Sequence, residues 1–319
     1  MQLDKTEIVI RQRSMAELMD LSLVVLRRHG LKIAAASAVF GIPLLIANIL
    51  SIHWMLGEAA IMATEDTEDS EFLLQWRHAL HLLALFVLQF PLASLPATMF
   101  LGNQVFYEQL TFRQLLIKLQ QVAWPATLIL GIVRLGLLGL VVEYFVNRSV
   151  LFDPATELPF IICIFIVLIV RGVWPFAPEI IGLEHCPLRS KPASRITYSQ
   201  RRVGLHQTVS SDHLSRFVGC SFVAILLGSV IGIAGYTIAS SLTGWAGWNG
   251  WYNQLLLPIT MWLVGLFVVV FRFLSYLDSR IRLEGWELEL RLRAEGERVT
   301  NSMAPPVPES LTNPEQVVA

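Results

Sequence analysis

An all-α, polytopic membrane protein is the fold class that this chain predicts, on three observations. Hydrophobic residues make up 54% of the 319 and charged residues 15%, with a mean hydropathy of +0.57, whereas soluble domains carry roughly 25% charge. The apolar residues gather into runs of about twenty, the length at which a helix crosses the hydrocarbon core of a bilayer. Lysine and arginine fall unevenly on the two sides that such runs define. A net charge of −1 leaves no basic excess to neutralise phosphates, which excludes a nucleic-acid partner. Cys163, Cys186 and Cys220 lie in or beside apolar segments without the spacing of a disulfide framework or a zinc site.

The first apolar run begins near Leu31, after a polar lead, and is too long for a secretory h-region, so it reads as a retained span. Windows of about nineteen residues give about six transmembrane helices, at 31–52, 79–102, 122–146, 159–182, 217–240 and 255–276. Residues 1–30 precede them as a cytoplasmic amphipathic lead-in and 31–276 form the six-helix domain. A charged cytoplasmic helix over 277–298 and a disordered, proline-rich tail over 299–319 follow it. Of the 24 lysines and arginines, six sit on the N-terminal lead, two on the second connection, six on the fourth and six on the last helix end and tail. Only Arg77 and Arg148 fall on the opposite side, while Arg134 and Arg171 fall inside spans. This asymmetry places both termini in the cytoplasm and the protein in the cytoplasmic (inner) membrane. The first outer connection is acidic around Glu65 to Asp69. The third, SLTGWAGWNGWYN, carries Trp245, Trp248, Trp251 and Tyr252 without charge, as an interfacial anchor or, alternatively, an aromatic cage.

Each span that enters from the cytoplasm is preceded by a segment with helical spacing. In the first, Met15, Leu18, Leu21 and Val25 share a face interrupted by Ser22, and Ser14 with Glu17 forms a capping box. In the second, Phe112, Leu115, Leu116 and Leu119 share a face, and RITYSQRRVGLHQTV before the fifth span has a weaker stripe. Such segments lie in the membrane plane, with their basic residues toward anionic headgroups. Copies of lead-in plus hairpin starting near Ser14, Thr111 and Ile196 give the chain a threefold periodicity of about 97 and 85 residues.

Arg134 and Arg171 sit near the middle of antiparallel spans three and four, where an arginine costs about 2.5 to 3.5 kcal/mol on insertion scales. They face the bundle interior, bound to carbonyls or to Glu143 and Glu179 as charge partners, or they form a site for an anion or lipid headgroup. Pro91, Pro96, Pro175 and Pro178 free carbonyls and kink their helices. His53, His78 and His81 gather near the outer ends of spans one and two as weak candidates for a metal site, with interfacial histidines as the ordinary reading. No GxSxG elbow, Walker loop, dinucleotide fingerprint or HExxH motif occurs, so no catalytic residue and no cofactor is expected.

The last helix should run on from FRFLSYLDSRIRLE, with Asp278–Arg282 and Arg280–Glu284 as i,i+4 pairs, through Glu287 to Arg293, where a period-two alternation competes with the helix. The run Tyr276, Asp278, Arg280, Arg282, Glu284, Gly285, Trp286 resembles an ending found in bacterial six-span proteins related to the glycerophosphodiester phosphodiesterase membrane-domain family. Pro178 to Arg195 and the lead-in from Arg13 to Lys32 look similar to the same group. The phosphodiesterase catalytic domain is absent, so the resemblance implies a six-span cytoplasmic-membrane module and no hydrolytic activity. The sequence favours a non-enzymatic protein that anchors or assembles partners, other membrane proteins or a second copy, at its cytoplasmic face. The alternative is a transporter or lipid-handling protein that uses Arg134 and Arg171. The bilayer is its partner in either case.

Overall fold

The computed structural model describes residues 11–63, 68–105, 111–146, 154–188, 196–206, 210–244 and 252–285, and helix is the regular structure throughout them. The helices are α1 (Met15–Ile52), α2 (Trp54–Ala63), α3 (Glu68–Ala93), α4 (Leu95–Val105), α5 (Phe112–Ala126), α6 (Gly136–Val146), α7 (Pro154–Val173), α8 (Ala177–Gly182), α9 (Tyr198–His206), α10 (Ser210–Thr243) and α11 (Leu257–Glu284). Four stretches, Met15–Ile52, Phe112–Val133, Ser211–Leu242 and Tyr252–Glu284, are long and apolar enough to cross a membrane. A fifth is added if α3 and α4, bent by 41° at Ser94, count as one crossing. The chain is a multi-pass helical membrane protein, and its crossings are less regular than six uniform spans.

The irregularities have local causes. Span two is kinked around Pro91, which has no N–H to give its helix, and the chain bends at Ser94. Span three is not one helix. After Pro125 the backbone widens into a π-helical stretch, Thr127–Val133, with Arg134 N–H donating to the Ile129 carbonyl at 2.9 Å. Leu135 then turns into the left-handed region at φ 59° before α6 begins. π-Stretches of this kind favour functional sites over regular packing. Gly136 follows because a Cβ there would stand 2.6 Å from the Leu130 carbonyl oxygen and 3.4 Å from that of Leu88. Span four stops at Trp174–Pro175 and resumes as the single turn-and-a-half of α8.

The lead-ins are expected in the membrane plane; in the structure the first runs on into its span and the second packs on neighbouring helices. The first is continuous with its span in the 38-residue α1, because nothing between Arg28 and Leu31 breaks the helix and Gly30 is simply accommodated. Its buried stripe, Leu18 and Ser22, packs on the protein's own core, where α1 lies along α11. In α5, Leu115, Leu119 and Val122 are buried against α4 and α8, and Phe112 is exposed. The expected box at Ser14 is present, with Ser14 N–H donating to Glu17 Oε2 at 2.9 Å and Glu17 N–H to Ser14 Oγ at 3.3 Å. The same reciprocal arrangement opens α5 at Thr111 and Gln114, and α9 at Thr197 and Gln200. All three expected repeat starts therefore carry one local device.

The expected helix over 277–298 is interrupted. It ends at Glu284, and Gly285 takes the left-handed conformation (φ 66°) that closes helices at low steric cost. Trp286, the 287–293 stretch and the remaining tail lie outside the described residues, as do the acidic outer positions 64–67 and the tryptophans at 245, 248 and 251. Between the helices, buried polar pairs supply specificity that apolar packing in lipid does not. Asn48 and Gln89 exchange two amide hydrogen bonds of 2.9 and 2.6 Å between α1 and α3, and Trp262 Nε1–H donates to Ser37 Oγ at 2.9 Å between α11 and α1.

Candidate functional site

Helices α11 and α8 and the bend between α3 and α4 contribute to one buried polar centre. From α11, Arg272 donates through Nε to Glu179 Oε1 of α8 at 2.7 Å, and through Nη2 to Ser94 Oγ at 2.9 Å and Thr98 Oγ1 at 3.2 Å in the bent region between α3 and α4. Glu179 is fully buried and its Oε2 has no partner. The helix breaks bring further arginines close. Arg134 Nη2–H donates to the Trp174 carbonyl at 2.5 Å, so the residue that ends the π-stretch of span three satisfies the carbonyl freed at the break of span four. Arg171 Nη2–H donates to the Leu88 carbonyl at 3.1 Å, beside Gly136 and the Pro91 kink.

Both midplane arginines thus bind backbone carbonyls. Neither pairs with its candidate carboxylates, since Glu143 pairs with His81 and Glu179 with Arg272. They also divide in role. Arg171 lines a cavity, while Arg134, 4% exposed, is buried outside its lining and holds the Trp174 carbonyl, one residue before the lining residue Pro175.

The cavity holds about 570 Å³, in the range of ligand pockets. It exists because α10 packs on α7 and α11 and makes no comparable contact with α3, leaving a gap walled by Phe86, Phe90, Phe217 and Val264 among others. Along α10 it extends from Arg216 to Ser229, about 20 Å at the helical rise. The wall is mostly apolar; Arg171, Arg216, Arg272, His213 and Ser275 stand toward one end, the hydroxyls of Ser221, Ser229 and Thr260 are spread along the rest, and no carboxylate lines it among the described residues. Sequence counting assigned Arg216 and Arg272 to the cytoplasmic side. Arg272 nevertheless falls four residues inside the predicted sixth span, which was the available signal.

Below the cavity, the tail motif locks the helix ends together. Asp278, 1% exposed, accepts from Arg13 N–H at 2.8 Å, from Arg216 Nη2 at 2.7 Å and from Arg282 Nε at 2.9 Å, while Arg282 Nη2 donates to the Arg13 carbonyl at 2.8 Å. Tyr276 O–H donates to Glu184 Oε1 at 2.5 Å, and Arg201 of α9 binds both Glu184 and Glu284. Arg280 closes the group on Glu284 at 2.7 Å. Burial alone would lower the Arg201 guanidinium, and its two carboxylates reverse this and hold it above its usual range. Burial and then Glu184 push the neighbouring Cys186 thiol from 9.0 up to about 11. Cys186 is therefore expected to alkylate with maleimide at pH 8 about 100-fold more slowly than an ordinary cysteine, and to gain roughly tenfold per pH unit above that. Stopped-flow labelling of a variant with Cys163 and Cys220 replaced by Ala measures both, and an ordinary rate at pH 8 contradicts the packing described.

The three candidate metal ligands do not converge. His81 is stacked on Phe160 and lies between two carboxylates, with Glu143 2.9 Å from Nδ1 and Glu157 2.9 Å from Nε2. His78 is fully buried with both ring nitrogens unpartnered, and His53 lies 3.4 Å from Gln254. Among the described residues no three His, Cys, Asp or Glu side chains are grouped to hold a metal ion. Searches against protein-family models, curated proteins and solved structures find no match to this chain, so its chemistry is read from its own geometry.

Proposed function

We propose that this protein handles a membrane amphiphile with an anionic head, as a lipid-binding or lipid-translocating protein of the cytoplasmic membrane. One observation carries the reading: the cavity is apolar along most of its length, and the charged side chains on its wall are three arginines. A tail fits the apolar part, and an anion offers the charge-assisted hydrogen bonds that buried guanidiniums require. On this reading the chain crosses the bilayer six times, with spans two, three and four broken at Ser94, at Arg134–Leu135 and at Trp174–Pro175. Both termini are cytoplasmic by the lysine and arginine asymmetry, and the arginine end of the cavity then faces the inner leaflet. Broken spans whose polar groups meet at mid-depth are the arrangement by which helical transporters build binding sites.

The anchor reading has less behind it. Side chains of Tyr276, Asp278, Arg280, Arg282 and Glu284 bond within their own chain, which leaves them to hold α9, α10 and the N-terminal lead rather than a partner. The resemblance to the glycerophosphodiester phosphodiesterase membrane-domain family stays with the proposal, its shared ending serving as this lock.

Arg171→Gln is the informative variant, because Arg171 bonds to a carbonyl and to no carboxylate, so its loss strands no counter-charge. Native mass spectrometry of protein released from lipid vesicles should show co-purified anionic lipid, reduced at least tenfold by Arg171→Gln. Unchanged lipid retention in a variant of normal helicity would sink the proposal.

A further inference from the structure

The charges behind the cavity wall do not cancel, and the surplus has a size. Arg134, Arg171 and Arg272 lie together around the breaks of spans three and four, and the carboxylate among them is Glu179, committed to Arg272. Arg134 and Arg171 have carbonyl partners, which accept a hydrogen bond without neutralising a charge. Arg202, whose guanidinium stands 4.2 Å over the Trp174 ring, adds to the surplus. Arg216 does not, since Asp212 at 3.0 Å and Asp278 at 2.7 Å balance it together with Arg282. The buried centre therefore carries at least two positive charges in excess among the described residues, two from Arg134, Arg171 and Arg272 against Glu179 and a third once Arg202 is counted. A low-dielectric site holds such an excess poorly without an anion.

Most of the cavity's donors without partners gather at the same end, Thr260 Oγ1 lying toward the other. Arg171 Nε, Arg216 Nε and Nη1, and Ser275 Oγ have none, and all three residues line the cavity. Four donors and a twofold charge exceed what a carboxylate with two oxygens and one charge can satisfy. A phosphodiester, with one charge and two free oxygens, falls short in the same way. A terminal phosphomonoester brings close to two negative charges and three strong acceptor oxygens.

We propose that the cavity selects a lipid phosphomonoester, a diacyl or single-chain lipid ending in an unsubstituted phosphate, over phosphodiester and carboxylate lipids. This rests on the amphiphile-binding reading above. The head sits between Arg171, Arg216 and Arg272, with Ser275 beside them, and the chain runs along α10 toward Ser229. Arg134 acts through space from outside the lining, adding charge without touching the lipid.

The full chain, reconstituted in vesicles of neutral lipid doped with equal phosphatidate, phosphatidylglycerol and free fatty acid of one chain length, provides the test. Bound lipid is read by native mass spectrometry at pH 8 and pH 5.5. At pH 8 phosphatidate is expected to be retained at least tenfold over the other two. At pH 5.5, below the second ionisation of a phosphomonoester at about 6, the preference should shrink severalfold. Arg134→Gln, whose side chain lies outside the cavity lining, should weaken phosphatidate retention more than phosphatidylglycerol retention and so narrow the preference. Equal or better retention of phosphatidylglycerol at pH 8, with Arg171→Gln still weakening it, overturns this inference and leaves the amphiphile-binding reading standing. Retention of none of the three, or indifference to Arg171→Gln, removes both.

Discussion

Asp278→Ala is expected to destabilise the protein by about 3–5 kcal/mol, the usual consequence of stripping one partner from a buried ion pair. Asp278 accepts from three donors on three segments: the Arg13 backbone, Arg216 of α10 and Arg282 of α11. Its loss leaves Arg216, which is 4% exposed, with Asp212 alone. It also frees the N-terminal lead from the end of α11. In thermal unfolding of protein in lipid nanodiscs, the apparent Tm should fall on the order of 10 °C. Asp278→Asn, which keeps the shape and one acceptor, should fall by less. The double variant Arg216→Met/Asp278→Leu is the sharper control, because apolar replacement of a whole buried pair is often tolerated. It should recover much of the lost stability without recovering anionic-lipid retention. If the double variant is as unstable as Asp278→Ala, the loss lies in packing and the ion-pair account is wrong.

The second large effect is expected at the other end of the bundle. Glu157 of α7 receives Arg77 at 2.7 Å and His81 at 2.9 Å, both from α3, and His81 reaches Glu143 of α6 on its other face. Both ring nitrogens face carboxylates, so the ring donates twice as an imidazolium, and two cations balance two anions. Arg77 and Glu157 are about 5% exposed. Glu157→Ala strands two cations at once, and about 3–5 kcal/mol is again expected, with Glu157→Gln intermediate. Because these residues are remote from Arg171 and Arg272, the variant should keep its lipid preference at temperatures where it is folded. Nanodisc melting paired with native mass spectrometry separates the two properties. A melting shift under about 2 °C would show that the cluster does not hold α3, α6 and α7 together.

How much of this was legible in the sequence depends on what each signal measures. Hydropathy windows report the cost of transferring side chains from water, and so they located the apolar mass correctly. They carry no information about the backbone path, so the π-stretch at Thr127–Val133, the left-handed Leu135 and the break at Trp174–Pro175 were merged into uniform spans. Proline was a partial guide. Pro175 marks a break, while Pro91 and Pro125 sit inside helices just ahead of theirs.

Depth matching found that Arg134 and Arg171 lacked level counter-charges, and the structure answers with carbonyls. It could not find the partners of Glu143 and Glu179, because those depend on which helices are neighbours, and His81 and Arg272 come from distant parts of the chain. Two of the three capping boxes were written in the sequence as Thr111–Gln114 and Thr197–Gln200, with glutamine in the place that Glu17 takes after Ser14. The cavity was not legible at all, since it is a gap left by α10 standing away from α3, and no residue encodes a gap by itself.

The convergence on α11 has a consequence for how the protein is made. A chain emerges from the ribosome N-terminus first, so Ser94, Thr98, Glu179 and Arg216 enter the membrane before Arg272 and Asp278 exist to receive them. Until α11 arrives, the Glu179 carboxylate and the Arg216 guanidinium wait without their principal partners, and the N-terminal lead has nothing to close upon. α11 is thus the segment that completes the earlier ones, and a nascent chain stopped before Leu257 carries its unmet polar groups as a mark of being unfinished.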